Sequence, residues 1–425
     1  MHGKISALLF LIILISSCKN PSSVFEPDIQ DTVEYRESNW TKMREYKCPD
    51  ESEADHKISP GDRVSDIVRA SPHGSKFFFT PGVYDSESIQ PKNGMMFYGH
   101  MESEKDSVIF NGSNQVRFAF HGKADDVLIC GLVIENYIPG VQMGAIKAGD
   151  HVPENNTNGW IVTNTVIRHN DGAAIRTGHN MTISGNLISH NSQIGIAGSG
   201  DNLVIEDNEI SFHNTNQKHD YNWEAGGTKF VMTNNLIVRN NYVHDNYGHG
   251  LWTDIQNQNT LYEGNITVRN AGNGIFHEIS FLAVIRDNFS GNNGFGRGDS
   301  PGPYGAEIMV SSSSDVDVYN NTVNINRNGI VAIQQLRIDE RSDYYYRLDN
   351  IKIKHNTYVE NDGSFWAITG VYEDISDKEV FRRNILFNNN VYHLSTIKNG
   401  FRWHNKSINW FSWRKAGHDA DGVLN

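Results

Sequence analysis

From about residue 126 onward the chain repeats one short phrase: a β-branched or aromatic residue, two further positions, then asparagine. It appears as Ile161-x-x-Asn164, Ile183-x-x-Asn186, Ile205-x-x-Asn208, Val238-x-x-Asn241, Tyr262-x-x-Asn265, Ile285-x-x-Asn288, Val318-x-x-Asn321, Ile353-x-x-Asn356 and Phe387-x-x-Asn390. Successive asparagines lie 22, 22, 33, 24, 23, 33, 35 and 34 residues apart. Within each unit apolar and polar positions alternate, as in strands with one buried face. A period of about 23 residues suits one coil of three short strands, so the pattern predicts an all-β solenoid, a right-handed parallel β-helix. Asparagine tolerates the left-handed turn conformation, and its amide can bond to the asparagine of the next rung.

Each unit carries a second anchor, usually a glycine opening a strand: Gly172, Gly195, Gly250, Gly274, Gly305 and Gly329. It follows the asparagine by 8 or 9 residues in most rungs and by 17 in two, if Ala225 takes the glycine place after Asn208. Two insertions, Phe212–Trp223 and Gly294–Tyr304, therefore leave the solenoid at one corner, where a binding face is expected. At the N-terminal end, Gly61–Val68 suggests a short helix, followed by the strand Lys76–Phe79 and a Pro81-Gly82 turn. A cap of this kind is needed, because an open first rung would leave strand edges unpaired.

Reading four residues beyond each anchor gives a column of Arg176, Ser199, Lys229, Asp254, Glu278, Met309 and Ile333. Alternation turns this column outward, together with Trp252, Phe276 and Glu307 two positions earlier, and turns His277 inward unless a bulge intervenes. With rungs about 4.8 Å apart, Lys229, Asp254 and Glu278 should stack between the two insertions. Neighbouring carboxylates cannot both ionise freely, so one is raised and can serve as an acid beside an ionised partner. Hydrolysis of a glycosidic bond needs such a pair, here Glu278 as acid and Asp254 as nucleophile or base. Trp252 and Phe276 would offer platforms to sugar rings, with Arg176, Glu224, His277 and Glu307 in support.

β-Elimination from a uronic acid is the second reading, with Lys229 as base and Arg176 as the stabilising cation. Glu224, Asp254 and Glu278 could then supply oxygen ligands for a Ca²⁺ ion. A non-catalytic carbohydrate-binding protein is the third, and a Lys-Asp-Glu ladder is also an ordinary way to keep a sheet face soluble.

Net charge is −13, with no basic block, which argues against nucleic acid as a partner but leaves room for a local basic pocket. At the N-terminus, Lys4 precedes the apolar run Ile5–Ile15, which is too short to span a bilayer comfortably and reads as a signal segment. It ends in Ile15-Ser16-Ser17-Cys18, which resembles the lipobox of bacterial lipoproteins. The resemblance implies lipidation of Cys18 and an exported protein anchored to the cell envelope. Residues 1–18 would then be the signal peptide, 19–57 a tether, 58–415 the β-helix and 416–425 a tail. Cys130 reads as a buried core residue; pairing with Cys48 is open, and no Cys/His spacing suggests zinc.

Three stretches, Trp223–Lys229, His244–Asp254 and Gly274–Ser280, resemble the right-handed parallel β-helix repeat proteins of the pectate-lyase-like superfamily. So do the N-terminal opening and Trp410–Asp419. The resemblance covers roughly residues 58–415 and implies the fold. It also implies a secreted carbohydrate-active role, without choosing among hydrolases, lyases, epimerases and binding spikes.

Overall fold

A computed structural model describes residues 47–100, 106–298, 302–339, 342–360, 367–375, 377–394 and 399–425. The expected signal segment, Cys18 and residues 19–46 of the expected tether lie outside the described residues.

Short parallel strands wind into successive coils, each coil contributing one strand to each of three faces. On the first face Gly172–Thr177, the first part of Ile194–Glu206, the first part of Gly226–Arg239, Leu251–Thr253, Ile275–Glu278, Ala306–Ser311, Asn328–Gln334 and Ala367–Glu373 stack in register. The second face carries Ile161–Thr163, Thr182–Ser184, Gln258–Glu263, Phe281–Arg286, Ser314–Tyr319 and their neighbours. The third is a separate sheet of thirteen strands from Gly82–Asp85 to Val423–Leu424. Inward residues of all three faces fill one continuous apolar core, along which Phe77 stacks on Phe97 and Phe97 meets Phe120 at a tilt.

Two files of asparagine hold the inner corners. Asn186, Asn208, Asn241, Asn265, Asn288, Asn321, Asn356 and Asn390 each donate through Nδ2 to the Oδ1 of the next member, the last donating to Asp419. Asn164 does not begin this file. The register pairs Val162 with Ile183, so Thr165 occupies the first position and its N–H donates to Asn186. A second file, five residues onward, runs through Asn170, Asn191, His213, Asn246, Asn270 and Asn293. These amides satisfy backbone groups that the corners would otherwise bury unpaired.

Both ends are closed. Helix α1, Val64–Ala70, buries Val64 and Val68 over the first coil. Residues 47–57 of the expected tether pack on the solenoid: Cys48 is disulfide-bonded to Cys130, and the strand His56–Ile58 pairs with Phe77–Phe79. At the other end helix α2, Trp410–Lys415, buries Trp413 against Phe387 and Phe401. Residues 416–425 are not a tail, since Asp419 ends the asparagine file and Val423 pairs with Val391.

Candidate active site

The first face between the two insertions carries a buried network of charges. Lys229 Nζ donates to Trp223 O at 2.8 Å and pairs with Glu224 Oε1 and Asp254 Oδ2, each at 3.0 Å. It also lies 3.9 Å from the Trp252 ring centroid. One rung further, Glu278 Oε2 accepts from Trp252 Nε1 at 3.3 Å. Arg337 joins the two carboxylates, with Nη1 2.5 Å from Glu278 Oε1 and Nη2 3.9 Å from Asp254 Oδ1. Lys229, Asp254 and Glu278 are each only 5–6% exposed.

Burial and the Asp254 charge push the Glu278 carboxyl up to about 7, against the opposing pull of Arg337 and Lys229. Glu224 is also raised by burial, offset by Lys229. Asp254 Oδ1 is buried without a hydrogen-bond partner, while Oδ2 is committed to Lys229. The pair is therefore asymmetric: burial raises the Glu278 carboxyl to about 7, whereas Asp254 holds Lys229 through Oδ2 and turns Oδ1 toward Arg337 Nη2.

The register differs from the sequence expectation by two residues in the rungs with insertions. Ile194 pairs with Gly226 and Ile196 with Thr228, so Gly227, not Ala225, stands in the glycine file beside Gly195. Lys229 therefore aligns with Trp252 and Phe276, and reaches Asp254 diagonally. Arg176 belongs to the same file as Lys229, two rungs away, and its guanidinium donates to the carbonyls of Asp150 and Gln142.

Four residues expected to meet a ligand are closed off from solvent. Ile275 pairs with Ile308, which puts Glu307, not Gly305, in the glycine file. Its carboxylate therefore enters the second asparagine file and accepts from Asn293 N and Nδ2, Asn326 N and Ser290 Oγ. His277 points inward and shares a hydrogen bond with Thr253 Oγ1 at 2.8 Å. Trp252 and Phe276 are outward but only 2% exposed, stacked on each other beside His249 and covered in part by Lys229. As placed, neither ring is a platform for sugar.

The two insertions meet. Tyr221 Oη donates to Gly296 O at 3.2 Å, and the Arg297 guanidinium lies over both Tyr221 and Tyr304. Sequence reasoning missed Arg337, which comes from a third insertion after Gln334, and the signal was the 35-residue spacing from Asn321 to Asn356. This insertion forms a hairpin of Ile338–Asp339 and Tyr344–Tyr345 at the opposite end of the site strands.

The expected Ca²⁺ ligands do not suit the ion as arranged. Glu224 and Asp254 converge on Lys229, Glu278 on Arg337, and no three His, Cys, Asp or Glu side chains cluster as metal ligands among the described residues.

Residues 152–323 match the family model described as right handed beta helix region. The chain is a right-handed parallel β-helix. No curated protein sequence matches it. Among solved structures, the catalytic unit of a GH87 α-1,3-glucanase from Streptomyces thermodiastaticus strain HF3-3 is similar in fold. It aligns with a TM-score of 0.59 at 12% identity, over 89% of this chain and 68% of that one. The A-module of Azotobacter vinelandii mannuronan C-5 epimerase AlgE6 aligns at 0.54 and 13% identity, over 85% and 93% of the two chains. The PL6 family alginate lyase AlyGC aligns at 0.53 and 12% identity, and this chain covers 81% of its own length but 52% of the lyase.

Proposed function

We propose that this protein hydrolyses glycosidic bonds of a polysaccharide, with Glu278 as general acid and Asp254 as nucleophile. The observation that carries the reading is the asymmetric carboxylate pair: Glu278 raised to about 7 by burial, and Asp254 paired with Lys229 through Oδ2 with Oδ1 left without a hydrogen bond, 3.9 Å from Arg337 Nη2. The two residues occupy adjacent rungs, with backbones about 4.8 Å apart along the solenoid, and neighbouring carboxyls on such rungs suit the double-displacement, retaining geometry better than the wider inverting one. Asp254 Oδ1 attacks the anomeric carbon while Glu278 gives its proton to the departing glycosidic oxygen. Glu278, now ionised, then takes a proton from the water that releases the sugar from Asp254. Arg337 is displaced as the glycan enters, since it spans the two carboxylates in the free protein.

Elimination fits less well. A base needs a free lone pair, whereas Lys229 donates to three acceptors, matching the three N–H bonds of an ammonium. The fold neighbours named above, an α-1,3-glucanase, a mannuronan epimerase and an alginate lyase, support a glycan as substrate and do not select the reaction. The signal segment and Cys18 support export and lipid anchoring at the cell envelope, which radiolabelled fatty-acid incorporation into wild type but not Cys18→Ala would test.

The test of the reaction is a product assay on purified protein with neutral and uronate polysaccharides. New reducing ends, absent in Asp254→Asn and Glu278→Gln, are expected without absorbance in the near ultraviolet. Unsaturated products would establish elimination instead, and binding without turnover would establish a carbohydrate-binding protein.

A further inference from the structure

A second aromatic surface lies beside the carboxylates, open where Trp252 and Phe276 are closed. The hairpin insertion and the turns after Asp254 and Glu278 enclose a cleft of about 840 Å³. That volume lies within the range of small-molecule sites, about 300–1,000 Å³. Phe281, Tyr344 and Tyr346 form one wall, with ring centroids 5.2 to 5.9 Å apart. Tyr346 is buried beneath, while Tyr344 is 47% exposed. Gln256, Gln258 and Arg347 add amide and guanidinium groups to the lining.

We infer that this cleft is a subsite that stacks one pyranose ring of the glycan chain, an inference that rests on the hydrolase reading for its substrate class. A pyranose has an apolar C–H face and a rim of hydroxyls, which calls for an aromatic wall edged with amides and cations. Gln256 Nε2 already donates to Asp339 Oδ2, and an apolar ligand would cover Gln258 and Arg347 without offering them an acceptor. Continuity with the reacting centre places it on the same chain of sugars: Gln256 follows Asp254 by two residues and Phe281 follows Glu278 by three. Gln258 and Phe281 are register partners, so the floor of the cleft spans the same two rungs as the carboxylates. The wall belongs to the insertion that also carries Arg337. Glycan that displaces Arg337 thus meets Tyr344 on the same hairpin.

Calorimetric titration of the full chain with neutral and uronate hexasaccharides tests the subsite, using wild type, Tyr344→Ala, Tyr344→Phe and Arg347→Ala. Tyr344→Ala should weaken binding roughly tenfold, and Tyr344→Phe should retain it, because the phenyl face does the stacking. Arg347→Ala should weaken binding by several-fold at an unchanged urea midpoint. Unchanged affinity in both alanine variants overturns the subsite, even if the wild type cleaves polysaccharide. Failure of every hexasaccharide to bind wild type overturns it too. Weakened binding in the variants, in a protein that never cleaves, upholds the subsite and removes the hydrolase.

Discussion

Glu278 is held by opposing forces: burial and Asp254 raise its carboxyl, while Arg337 and Lys229 draw it down. As general acid it must be protonated, so activity should fall as pH rises through about 7. Replacing Arg337 with glutamine removes one of the two cations and should move that alkaline limb to higher pH. A pH profile of kcat/KM measures the shift, and an unmoved limb would show that Arg337 does not act on the acid. The carboxylates themselves were legible in the sequence because the rungs from Gly250 and Gly274 are uninterrupted and keep their spacing. Lys229 and Glu307 follow insertions, where the strand resumes two residues later than an alignment on small residues suggests. Arg337 was not legible, since no periodic position predicts where an insertion sends its side chains.

The asparagine files show how an element of this fold is held, and the sequence revealed one of the two. Asn265 accepts from Asn241 N and Nδ2 and donates to Val238 O and Asn288 Oδ1, all in the buried corner. Asn265→Ala strands several of these groups away from water and should cost about 3 kcal/mol. Asn235 makes a similar amide contact with Asn202 on the exposed outer edge, and Asn235→Ala should cost less than about 0.5 kcal/mol. Urea unfolding of the two variants separates a buried ladder from a surface one; equal losses would mean that repetition alone, not burial, explains the asparagines. The second file escaped notice because His213 interrupts it and Glu307 enters it, so it lacks a uniform repeat. Its Glu307 has no cation among its hydrogen-bond partners, and burial pushes its carboxyl up to about 7. Glu307→Gln must turn an amide NH₂ toward existing donors and should lower the unfolding midpoint, whereas a surface glutamate changed in the same way should not.

Across the whole molecule these buried titrating groups set how stability depends on pH. Burial lowers His213, His249 and His277 to about 3 and His418 to about 4, while Glu278 and Glu307 rise to about 7. Between about pH 4.5 and 6.5 the unfolded chain protonates those four histidines, and the folded chain does not. Over the same interval the folded chain retains protons on the two glutamates that the unfolded chain has released. Four outweigh two, so the unfolded state binds more protons and stability rises with pH. At pH 6.5 about half of the unfolded chain's histidines still carry a proton, and near pH 7 they balance the protons that the two folded glutamates retain, so the rise levels off there. His121, His151, His190 and His219 shift in the same direction as the four, and Glu224 in the same direction as the two, so the rise below pH 6.5 keeps its sign. Urea midpoints measured from pH 4.5 to 8 should climb to about pH 6.5 and level off near 7, and Glu278→Gln, which removes one of the two opposing protons, should steepen the climb. An acid side left unchanged by Glu278→Gln would mean that Glu278 ionises freely in the folded protein, and would remove the proton on which the proposed acid depends.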